Sequence, residues 1–380
     1  MNKTAITRRN LLRQVGYALI LLPAPAYLKK VCAGIPAPRN NHMQYKGVNY
    51  DTGTNFSPGN LSADWDEQAM QFDIRVIRRE LHCNAVNVFG TDIPRLTKTA
   101  AFAAAEGLQV WIQPRLFHSS QDEMLTHLSI AAREAEQLRQ QYPGLILNTG
   151  CESSLFVSGI IPGDNMEARV RQLTDNWQSI PAWNEKLNAF LVKVSATARA
   201  GFKGTITYAA GPWESVSWQL FDIIGLDYYR EATNEKNYAE ALRAFHQYGK
   251  PVVITEFGCC TYEGADKKGA AGHEIIDWKN SGPEIKTGYI RSEKTQADYL
   301  RDLFSIYQRE KVHGAFVYVF NNAELPHAAA TRYDLDMGSY SLVKALPADS
   351  GNQDVSRRWE RKASFHAVAA MFRDGHIPER

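Results

Sequence analysis

Eight short runs of apolar, β-branched or aromatic residues, separated by stretches of helical periodicity, restrict the folds open to this chain more than any other feature. The runs are Lys46 to Asp51, Asn84 to Gly90, Leu108 to Pro114, Leu145 to Glu152, Thr205 to Ala210, Ile223 to Tyr229, Val252 to Phe257 and Ala315 to Phe320. Their length and bounding residues read as buried strands. Gly107, Gly144, Gly204 and Gly314 stand where a preceding helix would close, because glycine takes the left-handed turn that ends a helix. Strand and helix alternating eight times predicts a parallel sheet closed on itself, an α/β fold of the (β/α)8 TIM-barrel type in a single domain over 46–380.

The helices can be placed coarsely. Asp64 with Glu67 has the spacing of a capping box ahead of a helix running to Leu81, and 121–141 carries a long amphipathic pattern. The seventh and eighth helices are expected over 293–310 and 354–373. Three long insertions, 153–183, 259–292 and 321–353, each follow a strand. In a barrel they would rise on the face where strands end and wall a cleft there.

The first residues read as a targeting segment. Arg8-Arg9 precedes a short apolar stretch from Tyr17 to Leu22 that Pro23 ends, the pattern of a twin-arginine export signal over 1–33, with a Pro-rich leader over 34–45. The apolar stretch is too short to span a bilayer, so periplasmic or secreted protein is expected, with no stable membrane insertion. Net charge is +2 and no basic block or stripe appears, which argues against a nucleic-acid partner. Cys32 would leave with the signal. Cys83, Cys151, Cys259 and Cys260 lack the spacing of a zinc site or a disulfide framework, so no metal or other cofactor is expected. Cys151 and the Cys259-Cys260 pair flank two glutamates, as a rim disulfide or as small buried fillers.

Those glutamates carry the chemistry. Glu152 closes the fourth run and Glu256 lies in the seventh, which sets both at the carboxyl-terminal rim of a barrel, where that fold builds its active sites. Cleaving a glycosidic bond needs one carboxylic acid to protonate the leaving oxygen and one carboxylate to attack the anomeric carbon or activate water there. Strands four and seven can hold two carboxyls across the mouth at the roughly 5 to 5.5 Å of a retaining enzyme. Glu152 would be the acid/base, its pKa raised by burial and by the other glutamate. Glu256 would be the nucleophile, kept ionised by hydrogen bonds. With 8 Trp and 17 Tyr the chain also has flat faces to stack on sugar rings, although aromatics fill cores as well.

The run order, the glutamate after the fourth strand and Thr255-Glu256-Phe257-Gly258 at the seventh resemble the retaining glycoside hydrolases of the large (β/α)8 superfamily that includes cellulases and β-mannanases. The resemblance covers most of the mature chain, including Gln296 to Leu300 and the ending around Lys362 to Phe365. It implies a β-linked oligo- or polysaccharide as partner. It also implies an asparagine just before the acid/base residue, bonded to the sugar 2-hydroxyl, where this chain has Cys151; Asn148 or Asn87 would have to take that task, or the substrate presents its 2-position differently. Family members often bond a tyrosine from the end of strand six to the nucleophile, a place open here to Tyr228 or Tyr229.

Further substrate contacts are expected from Asn49, Tyr50 and Asp51 on the first strand, Asn87 on the second, and Gln113, Arg115 and His118 after the third. Tyr208 and Trp213 around the fifth strand join them, Trp213 as a stacking platform, with Asp227 on the sixth and Asn321, Asn322 and Glu324 after the eighth. Asp227 would replace Glu256 only in a substrate-assisted mechanism, and that needs several acidic residues on strand four, where Glu152 stands alone. Two alternatives use the same residues: a transglycosylase that passes the sugar to another sugar, and a non-catalytic carbohydrate-binding barrel, the latter suggested by Cys151. The sequence leaves the oligomeric state open.

Overall fold

The computed structural model describes residues 43–55, 65–279, 282–347 and 358–374. The expected export signal, the expected leader up to residue 42, and Asp64 lie outside the described residues. Eight parallel strands close into a barrel: β1 Tyr45–Asp51, β2 Ala85–Gly90, β3 Gln109–Pro114, β4 Ile146–Cys151, β5 Thr205–Ala210, β6 Ile224–Asp227, β7 Val252–Phe257 and, after a small hairpin of β8 Ile276–Lys279 and β9 Gly282–Ile285, β10 Gly314–Val317. Each barrel strand pairs with its neighbours in barrel order, and β10 pairs with β1 to close the ring. All eight expected runs are barrel strands, with ends shifted by a few residues.

Seen from inside, the barrel is layered. Trp111, Phe316, Val253, Ile146, Ala85 and Ile223 form an apolar plug, with Tyr45 against it. Side chains alternate across a strand, so the next inward residues up the same strands include Asn49, Asn87 and Gln113. Asn87 Nδ2 donates to Asn49 Oδ1 and to Gln113 Oε1, at 2.5 and 3.1 Å. The residues after those reach the mouth. A second and larger apolar core fills the space between the sheet and the helices.

Helices α1 Glu67–Arg79, α2 Ile93–Ala105 and α3 Gln121–Gln141 follow the first three strands. The cap of α1 is Asp66, whose Oδ1 accepts from the backbone N–H of Gln68 and Ala69. Ser120 and Glu123 make a reciprocal capping box on α3, at the boundary its periodicity indicates. After β4 come α4 Ser153–Phe156, α5 Met166–Asp175 and α6 Ile180–Gly201, so the first insertion is largely helical. The β5–β6 connection has no α-helix. Its one 3-10 turn, Trp218–Leu220, and the buried Trp218 and Phe221 cover the sheet instead.

The remaining helices are α7 Tyr238–Ala244, α8 Glu293–Arg309 and α9 Ala363–Asp374. The last begins later than its pattern suggests, because Trp359–Arg361 is a strand, β12, antiparallel to β11 Val343–Ala345. Trp359 explains the difference: it packs edge-on to Phe320 and its indole Nε1 donates to Asp73 Oδ1 at 2.8 Å, which holds this stretch extended across the barrel wall.

The second and third insertions are bound to each other by a buried ionic cluster. Lys362 Nζ reaches both Asp336 oxygens at 2.9 and 3.1 Å, and Arg291 bridges Asp336 and Asp334 at 2.9 Å each. Lys362 and Asp336 are fully buried. Gln296 of α8 adds hydrogen bonds to the carbonyls of Cys259, Tyr340 and Ser341. These contacts fix two walls of the cleft above the barrel.

Candidate active site

Two strand irregularities sit beneath the rim carboxyls. The β4–β5 register breaks between Asn148 and Cys151, and the β6–β7 register shifts just before Asp227 pairs with Glu256. Such bulges re-aim side chains at strand ends. Glu152, the first residue past β4, takes the left-handed region at φ 40° and ψ 41°. A non-glycine residue there costs roughly 1–3 kcal/mol, so the surroundings must hold it.

Glu256 is tightly partnered. Arg115 Nη2 donates to Oε2 at 3.0 Å and the Tyr229 hydroxyl donates to Oε1 at 2.9 Å. Arg115 is itself fixed: its Nε donates to Gln113 Oε1 at 2.9 Å and its guanidinium lies 3.9 Å from the Phe89 ring centroid. A chain of side chains therefore runs from Asn49 through Asn87 and Gln113 to Arg115 and Glu256.

Glu152 is treated differently. No hydrogen bond reaches its carboxylate among the described residues. Burial, with the nearby charges of Asp227, Glu256 and Glu214, pushes this carboxyl well above its ordinary value, against the pull of Arg115. Asp227 is buried and accepts from the Thr255 hydroxyl at 2.8 Å. Burial and the Glu256 charge push its pKa well up too. Cys151 is a buried free thiol whose pKa burial raises strongly, and Cys83, Cys259 and Cys260 are also free, so the rim holds no disulfide.

These groups open into a cleft of about 1230 Å³. Of the residues expected from sequence, Asp51, Arg115, Glu152, Trp213, Asp227, Tyr228, Tyr229, Glu256 and Asn322 line it. Others are elsewhere. Asn49 and Asn87 lie buried one layer below, where Asn49 bonds amide and carbonyl partners and Asn87 Nδ2 bonds two amide oxygens while its Oδ1 has no partner among the described residues. Tyr50 faces away from the barrel interior and donates its hydroxyl to Asp73 of α1. Tyr208 is fully buried behind the rim and donates to Glu214 Oε2 at 2.8 Å. His118 is an exposed residue in a left-handed turn and Asn321 is half-buried; neither is part of the cleft lining. Asn148 is fully buried.

Sequence reasoning passed over several lining residues. Tyr318 stacks on Phe89 with ring centroids 6.1 Å apart, and Tyr340 meets Tyr229 edge-on at 5.7 Å. Tyr318 was legible in principle, being two residues past the inward-facing Phe316. Tyr340 and Glu214 belong to irregular loops without periodicity. Among the described residues no group of three or more His, Cys, Asp or Glu side chains is arranged to hold a metal ion. No helix among them is long and apolar enough to cross a membrane.

No protein-family model matches the chain. No curated protein matches it either. Solved structures do. A GH113 β-1,4-mannanase aligns with a TM-score of 0.55 and 14% identity, over 87% of this chain and 99% of its own. The GH113 β-mannanase from Alicyclobacillus acidocaldarius, in complex with ManMIm, gives 0.55 and 14% over 87% of this chain and 97% of its own. The β-glucuronidase 2 of Bacteroides uniformis, covalently bound to cyclophellitol-6-carboxylate aziridine, gives 0.54 and 14% over 88% of this chain and 35% of its own. The likeness is one of fold. The (β/α)8 barrel that the sequence pattern predicts is a barrel shared with glycoside hydrolases.

Proposed function

We propose that this protein is an exported retaining glycoside hydrolase that cleaves β-linked oligo- or polysaccharide, with Glu152 as acid/base and Glu256 as nucleophile. The observation that carries the reading is the unequal treatment of two carboxyls in one cleft. The Glu152 carboxyl has no hydrogen-bond partner among the described residues and stands buried beside other carboxyls, which favours its protonated form. Glu256 receives a guanidinium and a phenol, which suits a carboxylate.

In the first step Glu152 gives its proton to the glycosidic oxygen as Glu256 attacks the anomeric carbon, so the leaving sugar departs as an alcohol and a glycosyl ester remains on Glu256. In the second, the Glu152 carboxylate takes a proton from water, whose oxygen attacks the same carbon and frees Glu256. Trp213 and the tyrosines of the cleft supply flat faces for sugar rings. Periplasmic or secreted location is part of the proposal and rests on Arg8-Arg9 and the apolar stretch after them.

The test is reducing-sugar release from a panel of β-linked polysaccharides and oligosaccharides, using protein that lacks residues 1–33, beside Glu256→Gln. Release by the native protein that is lost in the variant supports the reading. NMR of the first product should show the substrate's own anomeric configuration. No release from any substrate, with sugar binding equal in both proteins, would move the assignment to a carbohydrate-binding barrel.

A further inference from the structure

We propose that Glu214 is a positioning residue that joins the Glu152 acid and the Trp213 face into one rigid unit, so that it serves leaving-group protonation without touching the reacting atoms. The inference rests on the glycosidase reading of the same cleft.

Glu214 lies in the loop after β5, buried, and each of its oxygens takes two donors. Oε1 accepts from the Ser154 backbone N–H at 3.0 Å and the Ser154 hydroxyl at 2.5 Å. Oε2 accepts from the Tyr208 hydroxyl at 2.8 Å and the Gly211 N–H at 3.2 Å. Tyr208 in turn accepts from the Ser153 N–H at 2.7 Å. The backbone N–H groups of both residues that follow Glu152 are therefore held by one buried network. They add to the bonds of the Glu152 backbone itself, its N–H to the Ala209 carbonyl at 3.0 Å and its carbonyl from the Leu155 N–H at 2.9 Å, in holding the left-handed turn from which the carboxyl projects with no hydrogen bond of its own among the described residues.

The same network reaches the sugar face. Trp213 Nε1 donates to Ser154 Oγ at 2.9 Å, so the indole plane is tied to the hydroxyl that also bonds Glu214. Asn184 of α6 clamps the loop from behind, bonding the Trp213 carbonyl at 3.1 Å and the Ser215 N–H at 2.9 Å. A ring stacked on Trp213 would thus rest on the element that aims the acid. Glutamine cannot reproduce Glu214 here: whichever way its amide turns, an NH2 faces a backbone N–H, of Ser154 or of Gly211, that can only donate.

General acid catalysis contributes typically 10²- to 10⁴-fold, and only where the leaving group needs a proton. The experiment therefore compares two aryl β-glycosides of the sugar identified by the substrate panel: a phenyl glycoside, whose leaving group needs protonation, and a 2,4-dinitrophenyl glycoside, whose leaving group does not. Expected for Glu214→Gln is a loss of about 10²-fold in kcat/KM on the phenyl glycoside against a loss of less than about fivefold on the dinitrophenyl glycoside. Azide should raise kcat of the variant on the latter and yield a glycosyl azide, because azide attacks the glycosyl ester without base help. Equal losses on both substrates, or no loss on either, overturn the proposal. If Glu214→Gln does not fold, Ser154→Ala decides, since it removes the hydroxyl that joins Glu214 to Trp213 and leaves the carboxylate and the backbone N–H bond at 154 in place. It should show the same selectivity at about tenfold, and equal losses there overturn the proposal as well. A native protein that releases sugar from no substrate sinks the glycosidase reading itself, which is a separate outcome, and this inference falls with it.

Discussion

Arg115 and Glu256 are 141 residues apart in sequence and meet at 3.0 Å in the barrel mouth. The pair is buried on the arginine side, with the guanidinium braced by Gln113 and laid over the Phe89 ring. A hydrogen bond to a charged group is worth about 1.5–3 kcal/mol, and lysine has no planar fork to hold Gln113 and Glu256 together. Arg115→Lys should lower kcat/KM by about 10²-fold with the fold intact by circular dichroism. Tyr229→Phe removes only the neutral donor and should cost about tenfold. Equal activity in Arg115→Lys and native protein would mean that the arginine does not prepare Glu256 for its proposed role.

The state of Glu152 depends on its neighbours in a way that can be titrated. Burial raises its pKa most, followed by the charges of Asp227, Glu256 and Glu214, while Arg115 pulls it down. In the proposed mechanism Glu152 must carry its proton to act as general acid, so kcat/KM should fall as pH rises through this elevated value. Replacing Glu256 by Gln removes one repelling charge and should lower the Glu152 pKa. Replacing Arg115 by Met removes the attraction and should raise it. Carbon-13 NMR titration of glutamate carboxyls, with Glu152→Gln to assign the signal, measures both shifts. A Glu152 signal at the same pKa in native protein and Glu256→Gln would show that the two carboxyls do not sense each other.

The strand pattern made the barrel legible because alternation and length are local properties of the chain. It gave the facing of each residue but not its height along the barrel axis. Asn49 and Asn87 do point inward, one layer beneath the cleft. Tyr50 cannot share a face with Asn49 beside it, so period two already excluded the pair from acting together. Arg115 and Tyr229 were visible as residue types near the rim, but their meeting on Glu256 depends on the closure of the barrel. Glu214 had no signal at all. Its role comes from a loop folding back onto the turn after β4, and no periodicity marks such a contact. The late start of α9 has the same origin, since Trp359 is drawn into extended structure by Asp73 and Phe320 from distant segments.

Asp73 gives the fold its own pH dependence. Buried beneath Tyr50 and Trp359, it has a pKa raised by burial from 3.8 to about 7, despite hydrogen bonds from both. The folded state therefore keeps a proton that the unfolded chain releases near pH 4. The stability linked to this proton is present below pH 4 and is lost as pH rises toward 7, by about 4 kcal/mol at 1.36 kcal/mol per pKa unit. Asp73→Asn cannot lose a proton, so urea unfolding between pH 5 and 8 should show a flatter loss of stability in the variant. An unchanged slope would remove Asp73 as its source.

The buried cluster of Lys362, Asp336 and Arg291 should respond unequally to loss of its members. Asp336 is the anion between two cations, at 2.9 Å from each. Asp336→Asn leaves both cations without it and should cost about 3–5 kcal/mol, the range for breaking a buried ion pair. Lys362→Met leaves Asp336 still paired with Arg291 and fills the space with a chain of similar length, so its cost should be smaller. Denaturant titration ranks the two variants. Equal destabilisation would show that Arg291 does not stabilise the remaining charge.

Gly211 offers a way to move the Trp213 face without removing it. A Cβ at position 211 would come within 2.7 Å of two atoms of the indole ring, closer than any real Cβ contact allows. The ring is tied at Nε1 to Ser154, and the Gly211 N–H is itself one of the four donors to Glu214. Gly211→Ala must therefore displace the indole or strain the turn, and overpacking of this kind costs typically 1–3 kcal/mol. If Trp213 stacks on a sugar ring, the displaced face should raise KM by about tenfold, a loss within the range of one aromatic contact. Trp213→Ala should raise KM at least as much. An alanine at 211 that leaves KM unchanged, while Trp213→Ala raises it, would mean the indole finds the same pose around the methyl group. Unchanged KM in both variants would remove Trp213 from the substrate path.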